Sequence, residues 1–398
     1  MKLNKIINFI LILMCLGIIG FVGATMLEFF GVVDLPQEMS VKALFSDEKY
    51  DEMLKEDTEE KIVRQVIVTN TTIEGNVVYS YKEDEEYMNP TKNVVVEEPK
   101  QVEEITTTRE DAYYYNQLND TAKKIYISLY NNKNSLKTGL FLVDFELEFD
   151  SLLHQDRGSD ILEEAFQLSI NALTFDDPEI FYIEPKKVYL LTEITTYTND
   201  EKEYRVKIGA NNGMSYLSDA FVTEENVTEA ISKVQLVKDA IVKRANEEET
   251  IKGKIKVVHD YLIDTVNYDQ SLQKSNIYNI YGALINKEAV CEGYARAFKY
   301  VLDDLEIPCI IVCGEGQNSD GQVESHAWNY VQIDDLWYAV DVTWDDPIIT
   351  GEGKLTDDIK YKNFLVGSKE FSANHKEDGY IVQSAFQFQY PTLSFSDY

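Results

Sequence analysis

Basic residues are scarce in this chain: 37 Lys and Arg stand against 70 Asp and Glu in 398 residues, a formal net charge of −33. That balance excludes general nucleic-acid binding, which needs basic surface to displace counterions from phosphates. Cysteine is scarcer still, with four in the whole chain, too few for a disulfide-stapled small domain. Histidine also numbers four. No run of Asp and Asn carries the internal Gly of a helix–loop–helix calcium site, and no internal repeat is found. The chain is nonetheless 44% hydrophobic and 12% aromatic, enough for a packed core and against disorder throughout. At ~150 residues each its length suggests about two or three domains. The three tryptophans all fall between Trp328 and Trp344, a local concentration that marks where to look.

A long run without charge occurs at the N-terminus. Lys2 and Lys5 precede residues 9–27, 19 uncharged residues, and Glu28 and Asp34 follow. A positive flank and an apolar run describe a signal anchor or a cleaved signal peptide. The run nearly matches the ~20 residues that span a bilayer, while Val22-Gly23-Ala24 offers small residues for cleavage after Ala24. Both readings stay open. Either way residues 1–33 are expected to export the remainder. The C-terminal part would be extracellular on a single-pass anchor in the cell membrane, or secreted if the segment is cleaved.

Residues 34–105 carry 19 acidic and 8 basic residues, with apolar patches at 62–68 and 76–81 that could form short strands. Residues 34–108 read as a solvated, mostly extended acidic stalk. From Tyr113 the pattern changes. Leu118, Ala122, Ile125, Tyr126 and Leu129 recur at helical spacing, Phe141 to Phe149 alternate as a half-buried strand, and Leu162 to Leu173 make a second helical face. A hairpin is expected around Asn199-Asp200, then helices over roughly 224–247 and 251–266. Residues 109–245 thus form an α+β companion region and 246–398 the segment with the chemistry.

Cys291 opens a helical pattern in which Ala295, Phe298, Leu302 and Leu305 share a face and Pro308 marks the stop. The first turn of a helix, with its unpaired N–H groups and positive dipole end, favours a thiolate, the placement a nucleophilic cysteine needs. A structural thiol has the same position open to it. Cys309 and Cys313 lie four residues apart in a buried strand, ~13 Å along it, too far for a disulfide's Cα separation, and read as small buried hydrophobes. Residues 325–333 alternate as a strand and 336–344 as the next, with Asp334-Asp335 as a two-residue turn. That register pairs Ile333 with Leu336 and brings His326 and Asp341 to one sheet face as diagonal neighbours. Asp345 is the rival partner for His326. A possible thiolate, a base and a carboxylate that fixes the base's tautomer follow the logic of a Cys/His/Asp triad. His259, His375 and His154 read as structural, and the three tryptophans as walls of the sheet face and cleft.

Three blocks, Val290-Cys291-Glu292-Gly293-Tyr294-Ala295, Ser325-His326-Ala327-Trp328-Asn329 and Trp337-Tyr338-Ala339-Val340-Asp341-Val342-Thr343-Trp344-Asp345, resemble in order and spacing the signatures of the transglutaminase-like superfamily. Residues 361–366 look like the strand that commonly follows. The resemblance implies an α+β, papain-like core, a nucleophile-bearing helix packed on an antiparallel sheet that carries His and Asp. It implies Cys291 as nucleophile, His326 as general base and then acid, Asp341 as its orienter, and the Cys291 N–H in the oxyanion hole, with Tyr281 as a candidate upstream helper. The substrate would be a protein or peptide amide, with no cofactor and no metal. It leaves open whether the acyl group passes to an amine or to water, whether the target is a cell-wall peptide, and whether the fold is kept as a surface-displayed binding or scaffold module without turnover.

Overall fold

The computed structural model describes residues 63–70, 106–318, 321–347, 355–378 and 386–398. The N-terminal apolar run and most of the acidic stalk lie outside the described residues. Among the described residues no helix is long and apolar enough to cross a membrane. Of the stalk, Val63–Asn70 forms a strand, β1, on the first of the two apolar patches. The chain divides into two compact units, Met1–Gln65 with Ile194–Glu203, and Val66–Glu193 with Tyr204–Tyr398. The chemistry lies in the second.

Within that unit, helix α1 (Asp120–Asn131) starts where the Asn119 side chain accepts the Ala122 N–H, a side-chain N-cap. It buries Ala122, Ile125, Tyr126 and Leu129 against α2 (Gly158–Asp176). The strand expected from Phe141 to Phe149 is shorter: β2 covers Leu142–Asp144 only. Glu146 turns to φ 48° and Glu148 N–H bonds back to the Phe145 carbonyl at 2.9 Å. Phe145 and Phe149 then pack on each other at 5.2 Å as a turn rather than as alternate strand positions. Strands β3 (Tyr189–Thr196) and β4 (Lys202–Gly209) follow at the expected hairpin, whose tip, Ile194–Glu203, is counted with the first unit, and β2 pairs antiparallel with β4. Helices α3 (Glu224–Ala245) and α4 (Ile251–Thr265) are capped by Thr223 and Thr250.

After α4 the chain makes a two-residue parallel ladder, β5 (Asn267–Tyr268) with β6 (Glu288–Ala289), and then enters α5 (Cys291–Asp304). Strands β7 (Cys309–Gln317), β8 (Val323–Ile333), β9 (Leu336–Val340), β10 (Phe364–Val366) and β11 (His375–Glu377) form one sheet in the order β10-β9-β8-β7-β11, antiparallel at every step. Both faces of its centre are covered. Cys309, Val331 and Ile333 join the main core with Phe298, Val301 and Leu302 of α5, while Ile310, Val312, Trp328 and Tyr330 pack on the other side with Phe371 and Leu393. Burial on both faces explains why 308–312 reads as a continuous apolar run instead of an alternating one. The class is α+β, a helix laid on an antiparallel sheet, as the three sequence blocks imply. The main core runs from Ala112 to Phe388, passing residue 245 without a break.

Candidate active site

Cys291 is the first residue of α5, preceded by Val290 in extended conformation (φ −100°, ψ 179°) with no side chain capping the helix. The leading N–H groups of a helix have no intrahelical partner, and here no Ser, Asp or Asn competes for them. Three contacts fix where this end sits. The Val290 N–H donates to the Ile277 carbonyl at 2.9 Å. Arg296, paired with Glu292 at 2.7 Å, donates to the Thr174 carbonyl at the end of α2. The Tyr294 hydroxyl donates to Asp346 Oδ2 at 2.8 Å, linking α5 to the turn after β9.

Gly293 is required by close approach. A Cβ there would lie 2.4 Å from the Ile277 carbonyl oxygen and 2.8 Å from Ala289 Cβ. Glycine inside a helix ordinarily costs about 1 kcal/mol relative to alanine, so Gly→Ala would be stabilising on propensity alone. Gly293→Ala is expected to do the opposite, lowering stability by about 1–3 kcal/mol and slowing any reaction of Cys291. Thermal unfolding together with thiol alkylation rates checks this.

His326 lies near the start of β8, 6% exposed. The turn that sets its register forms with Asp334 and Asp335 both at positive φ (49° and 64°), the two-residue hairpin type whose twist suits the flanking strands. Pairing then runs from Ile333↔Leu336 to Asn329↔Val340. The second strand is shorter than its alternation suggests and ends at Val340. Asp341 leaves the ladder: its N–H donates to the Asn363 carbonyl, its carbonyl accepts the Asp345 N–H, and its Oδ1 accepts the Trp344 N–H at 3.1 Å. These bonds curl residues 341–345 into a turn. Asp341 still meets His326, with Nε2 2.7 Å from Oδ2. Cys291 packs beside Ala327, the neighbour of His326 on β8, and is close enough to the ring to contribute to its raised pKa.

The electrostatics follow from burial and pairing. Burial alone would push the His326 pKa down, but the Asp341 carboxylate and then Cys291 outweigh it and raise it to about 10. Asp341, fully buried, would be raised by desolvation, yet His326 and His375 hold it well below the usual carboxylate range. The ring of His326 is fixed from the side by Trp344, stacked at 4.9 Å and 23°.

The rival carboxylate has another task. Asp345 Oδ2 lies 3.0 Å from Nε2 of the fully buried His259, and its Oδ1 accepts both the N–H and the side-chain amide of Asn363. His259 is therefore structural, a brace under the turn that carries Asp341. Tyr281 packs among other rings. Its ring stacks on Phe181 at 5.8 Å and meets Phe221 edge-on at 5.3 Å. The tyrosines that feel Cys291 are Tyr268 and Tyr278, both raised first by burial, Tyr278 to about 12. Tyr268 pairs with Ala289 on β6, two residues before Cys291, and no periodicity announces a two-residue parallel ladder. Cys309 and Cys313 are free thiols pushed well above the ordinary range, first by burial.

His375, read from sequence as structural, also reaches the site: its Nε2 lies 3.0 Å from the same Asp341 Oδ2. Among the described residues, His326, Asp341 and His375 form a group whose donor atoms, all within 4.8 Å of one another, could hold a metal ion. Asp341 Oδ2 is already the partner of both rings.

Comparison with known proteins finds a family match in one segment. Residues 237–342 match the family model described as "Transglutaminase-like superfamily". No curated protein matches the chain. Solved structures that match include a TGase crystal structure (15% identity, 44% of this chain and 48% of that one, TM-score 0.28). A Cytophaga hutchinsonii protein assigned as a cysteine protease matches at 16% identity over 38% of this chain and 61% of that one, TM-score 0.24. Menin, in a structure described with its binding site for the Mixed Lineage Leukemia protein, matches at 19% identity over 36% and 33%, TM-score 0.23. The chain thus spans less than two thirds of the length of each of these structures.

Proposed function

Since residues 237–342 match the model of the transglutaminase-like superfamily, we propose that the chain is a thiol enzyme forming an acyl-enzyme on protein or peptide amides. The observation that carries the reading is the His326–Asp341 pair, 2.7 Å apart, on the strand whose Ala327 packs against Cys291 at the uncapped start of a helix. In the proposed reaction the Cys291 thiol proton already rests on His326 Nδ1, the charged form that its raised pKa favours, and Sγ attacks the amide carbonyl as the thiolate. His326 then gives that proton to the leaving amine, and Asp341 keeps the Nε2–H tautomer throughout. The Cys291 N–H and the Tyr268 hydroxyl, kept protonated by burial, are the donors for the oxyanion. The acyl group passes to an amine, which cross-links, or to water, which hydrolyses. The proposed setting is outside the cell membrane, with residues 1–33 as anchor or cleaved signal. Apart from the substrate, the membrane is the one partner proposed.

The three thiols of the described residues provide an internal test. Iodoacetamide at neutral pH is expected to label Cys291 first and quickly in the folded protein, with Cys309 and Cys313 modified only on unfolding, as peptide mapping by mass spectrometry would read. Labelling of Cys291 as sluggish as that of the two strand cysteines would favour a non-catalytic binding module instead.

A further inference from the structure

Strand β11 is a three-residue edge strand, and its first residue is the buried His375, 4% exposed. It pairs with Gly316 on β7, while His326 on β8 pairs with Gly314. One strand therefore separates the two histidines, and at both facing positions that strand carries glycine. A Cβ on Gly314 would lie 2.7 Å from the Trp328 ring, and one on Gly316 2.7 Å from the Trp344 ring and 3.4 Å from His326 Cβ. The bare stretch of β7 lets the aromatic rings lie across it, so an edge-strand histidine reaches a carboxylate set beyond β8.

The ring of His375 is held on every side. It stacks on Phe371 at 3.8 Å and 10°, lies 4.4 Å from Trp344, and meets Trp328 edge-on at 5.1 Å. Its Nδ1 is 2.9 Å from Asn374 Oδ1, and its Nε2 is 3.0 Å from Asp341 Oδ2. Asp341 is fully buried, with Oδ1 held by the Trp344 N–H and Oδ2 shared by the two imidazoles. A buried carboxylate with a missing donor pays its desolvation and gains freedom to rotate. Packing by itself would be served by any ring in this slot; a nitrogen aimed at the oxygen that orients His326 is a more specific arrangement.

We infer that His375 is a positioning residue: its Nε2–H donates to Asp341 Oδ2 and keeps that oxygen in line with the His326 Nε2–H. The inference rests on the acyl-transfer reading for its catalytic consequence and on the hydrogen-bond geometry for its structural one, so the test has two arms. His375→Phe keeps the stack and removes the donor; His375→Gln keeps an N–H near the place of Nε2. With only four histidines in the chain, ¹⁵N-histidine NMR of the full chain resolves the His326 N–H signal directly. In H375F that signal is expected to broaden or disappear, and kcat to fall about tenfold with KM little changed, the effect of roughly one charge-assisted hydrogen bond. H375Q is expected to recover most of both.

A wild-type His326 signal and wild-type kcat in H375F would overturn the inference. So would equal damage in H375F and H375Q, which would assign the residue to packing alone. Should H375F not fold, Asn374→Ala frees the ring at Nδ1 from a half-buried position. An unchanged His326 signal there overturns the inference, and a weakened one upholds it. If the unaltered protein neither labels nor turns over at Cys291, the enzyme reading fails by itself, and the NMR arm still decides whether His375 holds Asp341 on His326.

Discussion

Cys291→Ala is expected to lower both amine transfer and hydrolysis of amide substrates by at least about 10³-fold, while leaving the fold intact. The size follows from what one atom does in the proposed reaction. Without Sγ there is no covalent intermediate, so only binding and the oxyanion donors remain to accelerate attack by water. The fold should survive because Cys291 is half-buried at a helix start and contributes little to the core; its neighbours there, Ala295, Ile311 and Ala327, keep their contacts. His326→Ala is expected to cost a similar factor, and the double variant little more than either single one, since residues that act as a unit are not additive. Rates on a broad panel of amide donors, with and without an added primary amine, measure this. Full retention of both activities in Cys291→Ala would remove the thiol from the mechanism.

Asp341→Asn is expected to reduce kcat by about 10³- to 10⁴-fold with a smaller effect on KM, the loss that follows when a triad histidine is left in the wrong tautomer. Asparagine preserves the shape but offers His326 and His375 a neutral oxygen, or an N–H where each already presents one. The same substitution predicts a dependence of stability on pH. The His326 pKa is raised above its ordinary 6.5 to about 10 by Asp341 and Cys291 acting against burial. Its contribution is therefore fully present below about pH 6.5 and is lost as pH rises toward 10. Asp341 is depressed below its ordinary 3.8, so its contribution is present above about pH 4 and is lost as pH falls further. The stability margin of the unaltered protein over Asp341→Asn should thus be widest between about pH 4 and 6.5 and shrink on both sides. Denaturant titrations of the two proteins across pH read the margin, and a margin flat from pH 5 to 10 would contradict the pairing.

What sequence makes legible here is what is local. The helix of Cys291 shows in the spacing of Ala295, Phe298 and Leu302. The register that delivers His326 shows in one Asp-Asp turn between two alternating runs, because a side-chain period of two leaves a single face-correct pairing. The end of β9 was not legible. Residues 341–344 still alternate, and only the capture of Asp341 by Asn363, Trp344 and Asp345 curls them away. Asp341 was legible from that register, with Asp345 as its rival; the task of Asp345 was not, since it depends on His259, 86 residues away in sequence. His375 was hidden for a similar reason. A three-residue edge strand has no periodicity, and its approach to Asp341 depends on two glycines of another strand having no side chain. Tyr268 came into view only through a two-residue ladder, while Tyr281, better placed by order in the chain, turned its ring to Phe181 and Phe221.

The central claim is a covalent acyl intermediate on one sulfur, and intact-protein and peptide mass spectrometry after brief acid quench of a reacting mixture tests it most directly. The account predicts a mass increase carried by Cys291 alone, equal to the donor acyl group, absent in Cys291→Ala and trapped longer when amine is withheld. Turnover of a substrate with no adduct on Cys291 at any quench time, or an adduct on Cys309 or Cys313 instead, would contradict it.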